Sequence, residues 1–337
     1  MLTRITIADI ARAAGVSRMT VSRVINKQKG VGDETRRQIE ELIEKLGYRP
    51  SGIARSLATQ RTHTIGLVVQ DISNPFFSGI ARGVERVART EGYSVLLCSV
   101  EEDPDYELEV LQVLEEKRVD GVIACSSRLA VNELQQALAR HPAAVLVNRL
   151  LNDQDDTAIL DSVVIDEETG GQMATRHLIS LGHRAIGFLS GPPISFGAQG
   201  RSRGYGMALS VSGLPIRQDF ILVCQPTVEG GQEGARALLA AQPEITALFC
   251  YNDLVAVGVL QTCAQLGRQV PDDLAVVGYD DIRLAALVTP SLTTCRVPRE
   301  QVGQLAIRLL LDRINSPEED RQKIMVQPEL VIRASAP

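Results

Sequence analysis

Arg18, Met19, Ser22 and Arg23 lie within one short run, RMTVSRVIN. Its apolar members Val21, Val24 and Ile25 take one side of a helix, so the other four project outward near its N-terminal half. Such an arginine can donate twice to guanine O6 and N7 in a major groove, worth about 1–3 kcal/mol of discrimination. Met19 offers only apolar contact, for example to a thymine methyl. Ser17, Thr20 and Asn26 suit phosphate oxygens, with Thr6 further upstream, and the helix N-terminus adds its dipole. The same outward pattern fits a three-helix interaction module with solvated arginines.

Other reactive residue types form no catalytic or metal-binding pattern. His63, His141, His177 and His183 have no HExxH spacing. Cys98, Cys125, Cys224, Cys250, Cys263 and Cys295 have no CxxC spacing, and most sit in apolar runs. They read as buried reduced thiols. No GxGxxG, Walker or GxSxG motif occurs, so no catalytic residue, metal or cofactor is expected. Asp280-Asp281 reads either as a solvated loop or as hydroxyl acceptors for a ligand.

Three helices must position the outward residues. Thr6-Ile7-Ala8-Asp9 fits a capping-box start, and Ile7, Ile10, Ala11 and Ala14 follow at helical spacing. Gly15 stops that helix. Ser17 caps a second, running to about Asn26. A third runs from Asp33 to Leu46, with Ile39, Leu42, Ile43 and Leu46 inward and Gly47 ending it. Two short helices joined by a tight turn and braced by a third make a helix-turn-helix. Charge agrees: residues 1–60 hold eleven Lys and Arg against six acids, net +5, while the rest carries −11. A basic nucleic-acid arm on an acidic body is implied. The chain has neither a membrane-length apolar run nor a secretory-type N-terminus, so a cytoplasmic protein without membrane contact is expected.

From residue 63, β-rich runs alternate with helical segments. Strands are expected at 65–69, 95–99, 122–124, 145–147, 163–165, 186–189, 247–250 and 274–277. Helices are expected at 77–90, 106–116, 169–181, 231–240 and 254–266. This alternation predicts parallel sheets in two doubly wound α/β units. A ligand would then meet the carboxyl ends of the strands in the cleft between them.

TIADIARAAGVSRMTVSRVIN and ETRRQIEELIEKLGYRPSGIARSL closely resemble the headpiece of the LacI/GalR family of bacterial regulators. The likeness extends through IGLVVQDISNPFF, VIDEETGG, LGHRAIGFLSG, FCYNDLVAVG and VVGYDD. It implies a helix-turn-helix headpiece at 1–49, a hinge helix and linker at 50–62, and a periplasmic-binding-protein-like core at 63–337. The core would comprise subdomains at 63–161 plus 292–322 and 162–291 plus 323–337. By the same match Leu57 wedges into the DNA minor groove, with Arg55 beside it. A flexible linker with Leu57 docked on the body is the competing reading. Ala58 stands where some relatives carry a basic residue, which weakens the case for a charged contact there. Effector contacts fall on Phe76, Phe77, Asn148, Asp166, Arg201, Asn252 and Asp280. The family's aromatic on the far side of the pocket has no counterpart at Pro226-Thr227. The expected partners are pseudo-palindromic double-stranded operator DNA, a carbohydrate-like effector, and a second copy in a homodimer or higher oligomer. Helices after Pro75 and near 254–266 would form the dimer interface. The implied function is an effector-controlled repressor. A sugar-transport protein would share the body but not the headpiece, and an enzyme would need the missing reactive groupings.

Overall fold

A computed structural model describes residues 5–25, 29–48, 61–151 and 160–337. Arg55 and Leu57, assigned to the hinge, and Asn26 lie outside the described residues. The chain divides into two compact units, Met1–His63 and Thr64–Pro337.

The first unit has helices α1 (Ile7–Ala14), α2 (Arg18–Ile25) and α3 (Asp33–Lys45). Asp9 Oδ2 accepts from both the Thr6 amide (3.0 Å) and the Thr6 hydroxyl (2.7 Å). The carboxylate half of the expected box therefore forms, with the threonine hydroxyl donating to it. Gly15, at φ 64°, ends α1 in the left-handed region that glycine enters without a Cβ penalty. Ile10, Val21 and Ile39 are fully buried where the three helices meet, with Leu42, Ile43 and Leu46 packed against them. Each such burial contributes about 1.5–3 kcal/mol, enough to hold helices that would be marginal alone.

The second unit holds two six-stranded sheets. The first lobe contains strands β1 (Thr64–Val69), β2 (Ser94–Ser99), β3 (Gly121–Cys125), β4 (Ala144–Val147), β5 (Asp161–Ile165) and β11 (Lys323–Val326), in the order β11-β5-β4-β3-β1-β2, all parallel. The second contains β6 (Ile186–Ser190), β7 (Ile221–Val223), β8 (Ala247–Cys250), β9 (Ala275–Asp280), β10 (Thr293–Arg296) and β12 (Glu329–Val331), in the order β12-β10-β9-β8-β6-β7, with β12 antiparallel. Both sheets reverse strand order beside their first strand, which opens a crevice at the carboxyl ends.

Helices α4 (Pro75–Thr90), α5 (Pro104–Glu116), α6 (Val131–Leu138), α7 (Glu167–Ser180), α8 (Phe196–Val211), α9 (Val228–Ala241), α10 (Asp253–Leu266) and α11 (Arg299–Asn315) connect the strands. One apolar cluster joins Ile65, Leu67 and Val145 of the first sheet with Phe188, Phe249 and Val277 of the second. α7 and α8 pack with their backbones in near contact. A Cβ on Gly171 would collide with the Arg201 carbonyl, and one on Gly204 with that of Glu168.

The lobe limits differ from those expected. β5 pairs with β4, so 161–165 lies in the first lobe, where Arg313 of α11 clamps Asp161 with Nε at 2.8 Å and Nη2 at 3.2 Å. β10 pairs with β9, so 293–296 lies in the second lobe. β11 pairs with β5 and returns 323–326 to the first. Each crossing therefore falls about four residues later than expected, after the strand rather than before it, because ladder hydrogen bonds bind each strand to its sheet.

Candidate functional site

On α2, Met19, Ser22 and Arg23 follow at the three- and four-residue spacing that places side chains on one helix face. Arg18, Met19 and Arg23 are exposed, Met19 to 65%, and Ser22 is half-buried. Ser17 Oγ accepts from the Thr20 amide at 3.1 Å and lies 2.9 Å from Thr20 Oγ1. The Ser17 hydroxyl caps the N-terminus of α2, where anions are favoured. The helix thus presents two guanidinium groups and a thioether beyond a polar N-terminus.

In the body, the crevice is centred on Arg201 of α8. Its Nε and Nη2 donate to Glu167 Oε2 and Oε1 at 2.8 and 3.0 Å, and its Nη1 donates to the Tyr251 carbonyl at 2.6 Å. The guanidinium carbon lies 3.7 Å from the Tyr279 ring centroid and 4.7 Å from that of Tyr251. Asn148, after β4, donates from Nδ2 to Glu167 Oε1 at 2.7 Å and so ties the first lobe to the α7–α8 pair of the second. Asp280, at the end of β9, places Oδ1 3.7 Å from Arg201 Nη2, beyond hydrogen-bond range. Asn148, Arg201 and Asp280 are all buried, at 3%, 3% and 4% exposure.

This knot is electrostatically costly. Burial pushes the Asp280 carboxyl up to about 7; Arg201 lowers it and Glu167 adds to the rise. Burial alone would weaken the charge on Arg201, but Glu167 and then Asp280 more than offset this and hold it firmly protonated. Asn148 Oδ1 and Asp280 Oδ1 are buried without a hydrogen-bond partner. Both residues adopt left-handed backbone, at φ 51° and 104°. These buried oxygens at strand ends are acceptors to which a bound donor could hydrogen-bond.

The other expected contacts are placed differently. Asp166 caps α7, accepting from the Thr169 amide at 3.0 Å and the Thr169 hydroxyl at 2.8 Å. Asn252 caps α10 through the Val255 amide (2.8 Å) and donates to the Pro226 carbonyl (3.2 Å), beside Arg201's partner Tyr251. Phe76 and Phe77 are 5% exposed within the large apolar cluster, ring centroids 5.1 Å apart and edge to face. Glu167, Tyr251 and Tyr279 were not singled out in the sequence. Glu167 is the hub, and the rings of Tyr279 and Tyr251 lie against the Arg201 guanidinium. Tyr251 Oη also lies 3.1 Å from Ser195 Oγ. Asp253, the first residue of α10, accepts from Thr294 Oγ1 (2.6 Å) and the Ile282 amide (2.7 Å), and burial pushes its carboxyl well up.

Among the described residues no group of three metal-ligating side chains occurs, and no helix is long and apolar enough to cross a membrane. All six cysteines are free, and Cys125, Cys250, Cys263 and Cys295 are buried.

Two family models match. Residues 6–51 match the bacterial regulatory proteins of the lacI family, and 62–334 match the periplasmic binding proteins and sugar binding domain of the LacI family. The ribose operon repressor of Escherichia coli (strain K12) is 38% identical over 333 residues, covering 98% of this chain and 99% of that protein. The HTH-type transcriptional repressor PurR of Photobacterium profundum is 36% identical over 330 residues, covering 98% of each. A crystal structure of the lac repressor dimer bound to operator and the anti-inducer ONPF superposes with a TM-score of 0.88 at 27% identity, covering 99% of each chain. With a helix-turn-helix headpiece, a two-lobed body and relatives matched over nearly their whole length, the chain belongs to the LacI family of bacterial transcriptional regulators.

Proposed function

We propose that this chain represses transcription from a pseudo-palindromic operator as a homodimer, and that a small polyhydroxy molecule bound between the two lobes sets its operator affinity. The buried knot that joins Asn148 of the first lobe to Glu167, Arg201 and Asp280 carries this reading. A ligand entering there would exchange contacts with both lobes at once, so its affinity would depend on how the lobes are arranged, as a ligand switch requires. Coupling of about 1–3 kcal/mol is typical of such switches.

Arg18, Met19, Ser22 and Arg23 read base edges, while Thr6, Ser17, Thr20 and Asn26 meet phosphates. Arg55 and Leu57 carry the minor-groove contact of a hinge at 50–62. Phe76 and Phe77 form the apolar wall of the effector site, and Asp166 and Asn252 its rim. The lac repressor dimer on its operator and the ribose operon repressor support the dimeric, sugar-controlled form. The cytoplasm is the compartment where such a protein meets its DNA.

A thermal-shift screen of sugars, polyols and nucleobases on the full-length protein tests the reading. A cognate ligand should raise Tm and change affinity for an operator selected from random duplexes. A ligand that raises Tm equally in the wild type and in Asp280→Ala, with operator affinity unmoved, would refute it.

A further inference from the structure

Arg201 makes a two-pronged ion pair with Glu167, at 2.8 and 3.0 Å, between side chains only 4% and 1% exposed. With the Tyr251 carbonyl on Nη1, three of the guanidinium's five N–H donors are engaged. The fork that recognises a carboxylate or phosphate is therefore already filled from within the chain.

We propose that Glu167 is a specificity-determining residue: its carboxylate occupies the place at Arg201 that an anionic effector would take, so the crevice selects an uncharged polyhydroxy ligand over its carboxylate or phosphate counterpart. This rests on the reading that the effector binds around Arg201 and Asp280.

Charge supports the assignment. The single positive charge of Arg201 already faces Glu167 and, at 3.7 Å, Asp280. An entering anion would meet the Glu167 carboxylate, joined by Asp280 wherever that group is ionised, in a site shielded from water, where repulsion is strong. Packing supports it too. Glu167 Oε1 also accepts from Asn148, and a Cβ on Gly200 of α8 would run into the Glu167 Cβ, so the neighbouring helix is shaped around this side chain. Arg128, after β3, is spent in the same way, with Nε and Nη2 on Glu102 at 2.6 and 3.1 Å and Nη1 on the Ser126 carbonyl at 2.7 Å. The groups left over are the unpartnered oxygens of Asn148 and Asp280, beside a guanidinium that engages three of its five N–H donors within the chain. Acceptors beside donors suit hydroxyls, which both give and receive.

The test compares matched probes on the full-length protein by calorimetry and thermal shift. The probes are ribose with ribose 5-phosphate, glucose with gluconate and glucose 6-phosphate, and inorganic phosphate alone. Wild type should bind a neutral sugar at least about tenfold more tightly than its anionic counterpart, since 1.4 kcal/mol already gives that ratio. Glu167→Ala should move the ratio at least tenfold toward the anion, and inorganic phosphate should raise its Tm more than that of wild type. Glu167→Gln, which keeps the shape and loses the charge, should move part of the way, and it serves if the alanine variant does not fold. The phosphate arm decides even if none of these sugars is the effector. Wild type binding the anionic partner as tightly as the neutral one, or variants whose response to phosphate is unchanged, would overturn the proposal while leaving a ligand-switched repressor intact. If instead Asp280→Asn and both Glu167 variants bind every sugar as wild type does, the effector sits elsewhere, and the site reading fails with the proposal.

Discussion

Asp280→Asn isolates the energetic burden of the proposed ligand site. The Asp280 carboxyl is pushed from its ordinary 3.8 to about 7 in the folded chain, chiefly by burial. Below about pH 4 it is protonated in both folded and unfolded chains and contributes nothing. Between about 4 and 7 the folded chain holds a proton that the unfolded chain releases, so stability falls as pH rises. Above 7 the carboxylate is charged in both states and the whole penalty applies. A displacement of about 3 units corresponds to a ceiling of about 4 kcal/mol. Asparagine tolerates the φ of 104° about as well as aspartate and carries no charge. Thermal unfolding of the two proteins from pH 4 to 8 should therefore show nearly equal Tm at the acid end. The variant should gain over wild type up to pH 7, with a plateau above, by about 2 °C for each kcal/mol in a body of this size. A Tm difference that is flat with pH, or that favours wild type at pH 8, would refute the claim that Asp280 is held at an energetic cost.

Arg23→Ala should relax base preference at one position in each half-site and cost about 1–3 kcal/mol of operator affinity, read by selection from randomised duplexes and by binding isotherms. An equal loss on every sequence would make Arg23 a phosphate contact. Gly204→Val should destabilise the body by about 3 kcal/mol or more in denaturant unfolding, because a Cβ there meets the Glu168 carbonyl and overpacked backbone cannot relax cheaply. An unchanged midpoint would show that α7 and α8 part more easily than their contact implies.

Most inner strands are legible because runs such as AVV and ALFC are apolar and buried on both sides, but inner β10, TTCR, contains no such run and matches no expected strand. Of the four edge strands, β2 has six residues and matches the expected 95–99, whereas β7, β11 and β12 are three or four residues long and partly exposed, so no run marks them. α8 matches no expected helix, since FGAQGRSRGYG is rich in glycine, which disfavours helix, yet those glycines let it lie against α7. In the headpiece the capping, the glycine stop and the inward stripes were all local, and the structure carries them. The site was half legible. Asp166, Glu167 and Glu168 are consecutive acids, and composition cannot say which one turns inward. Asp166 caps the helix, Glu168 pairs with Arg203 at the surface (3.0 Å), and Glu167 alone of the three becomes the partner of Arg201. That choice depends on where α8 lies, which is a tertiary fact.

The interleaving of the lobes also sets the order in which the protein can be made. The headpiece has its whole apolar core once Tyr48 is synthesised. The first sheet waits for Lys323–Val326, and the second for Glu329–Val331. At about 5–20 residues per second, translation separates these events by about 15–60 s. During that interval a nascent chain can carry a finished DNA-reading module whose two sheets are not yet complete, so ligand control has to wait for both late strands.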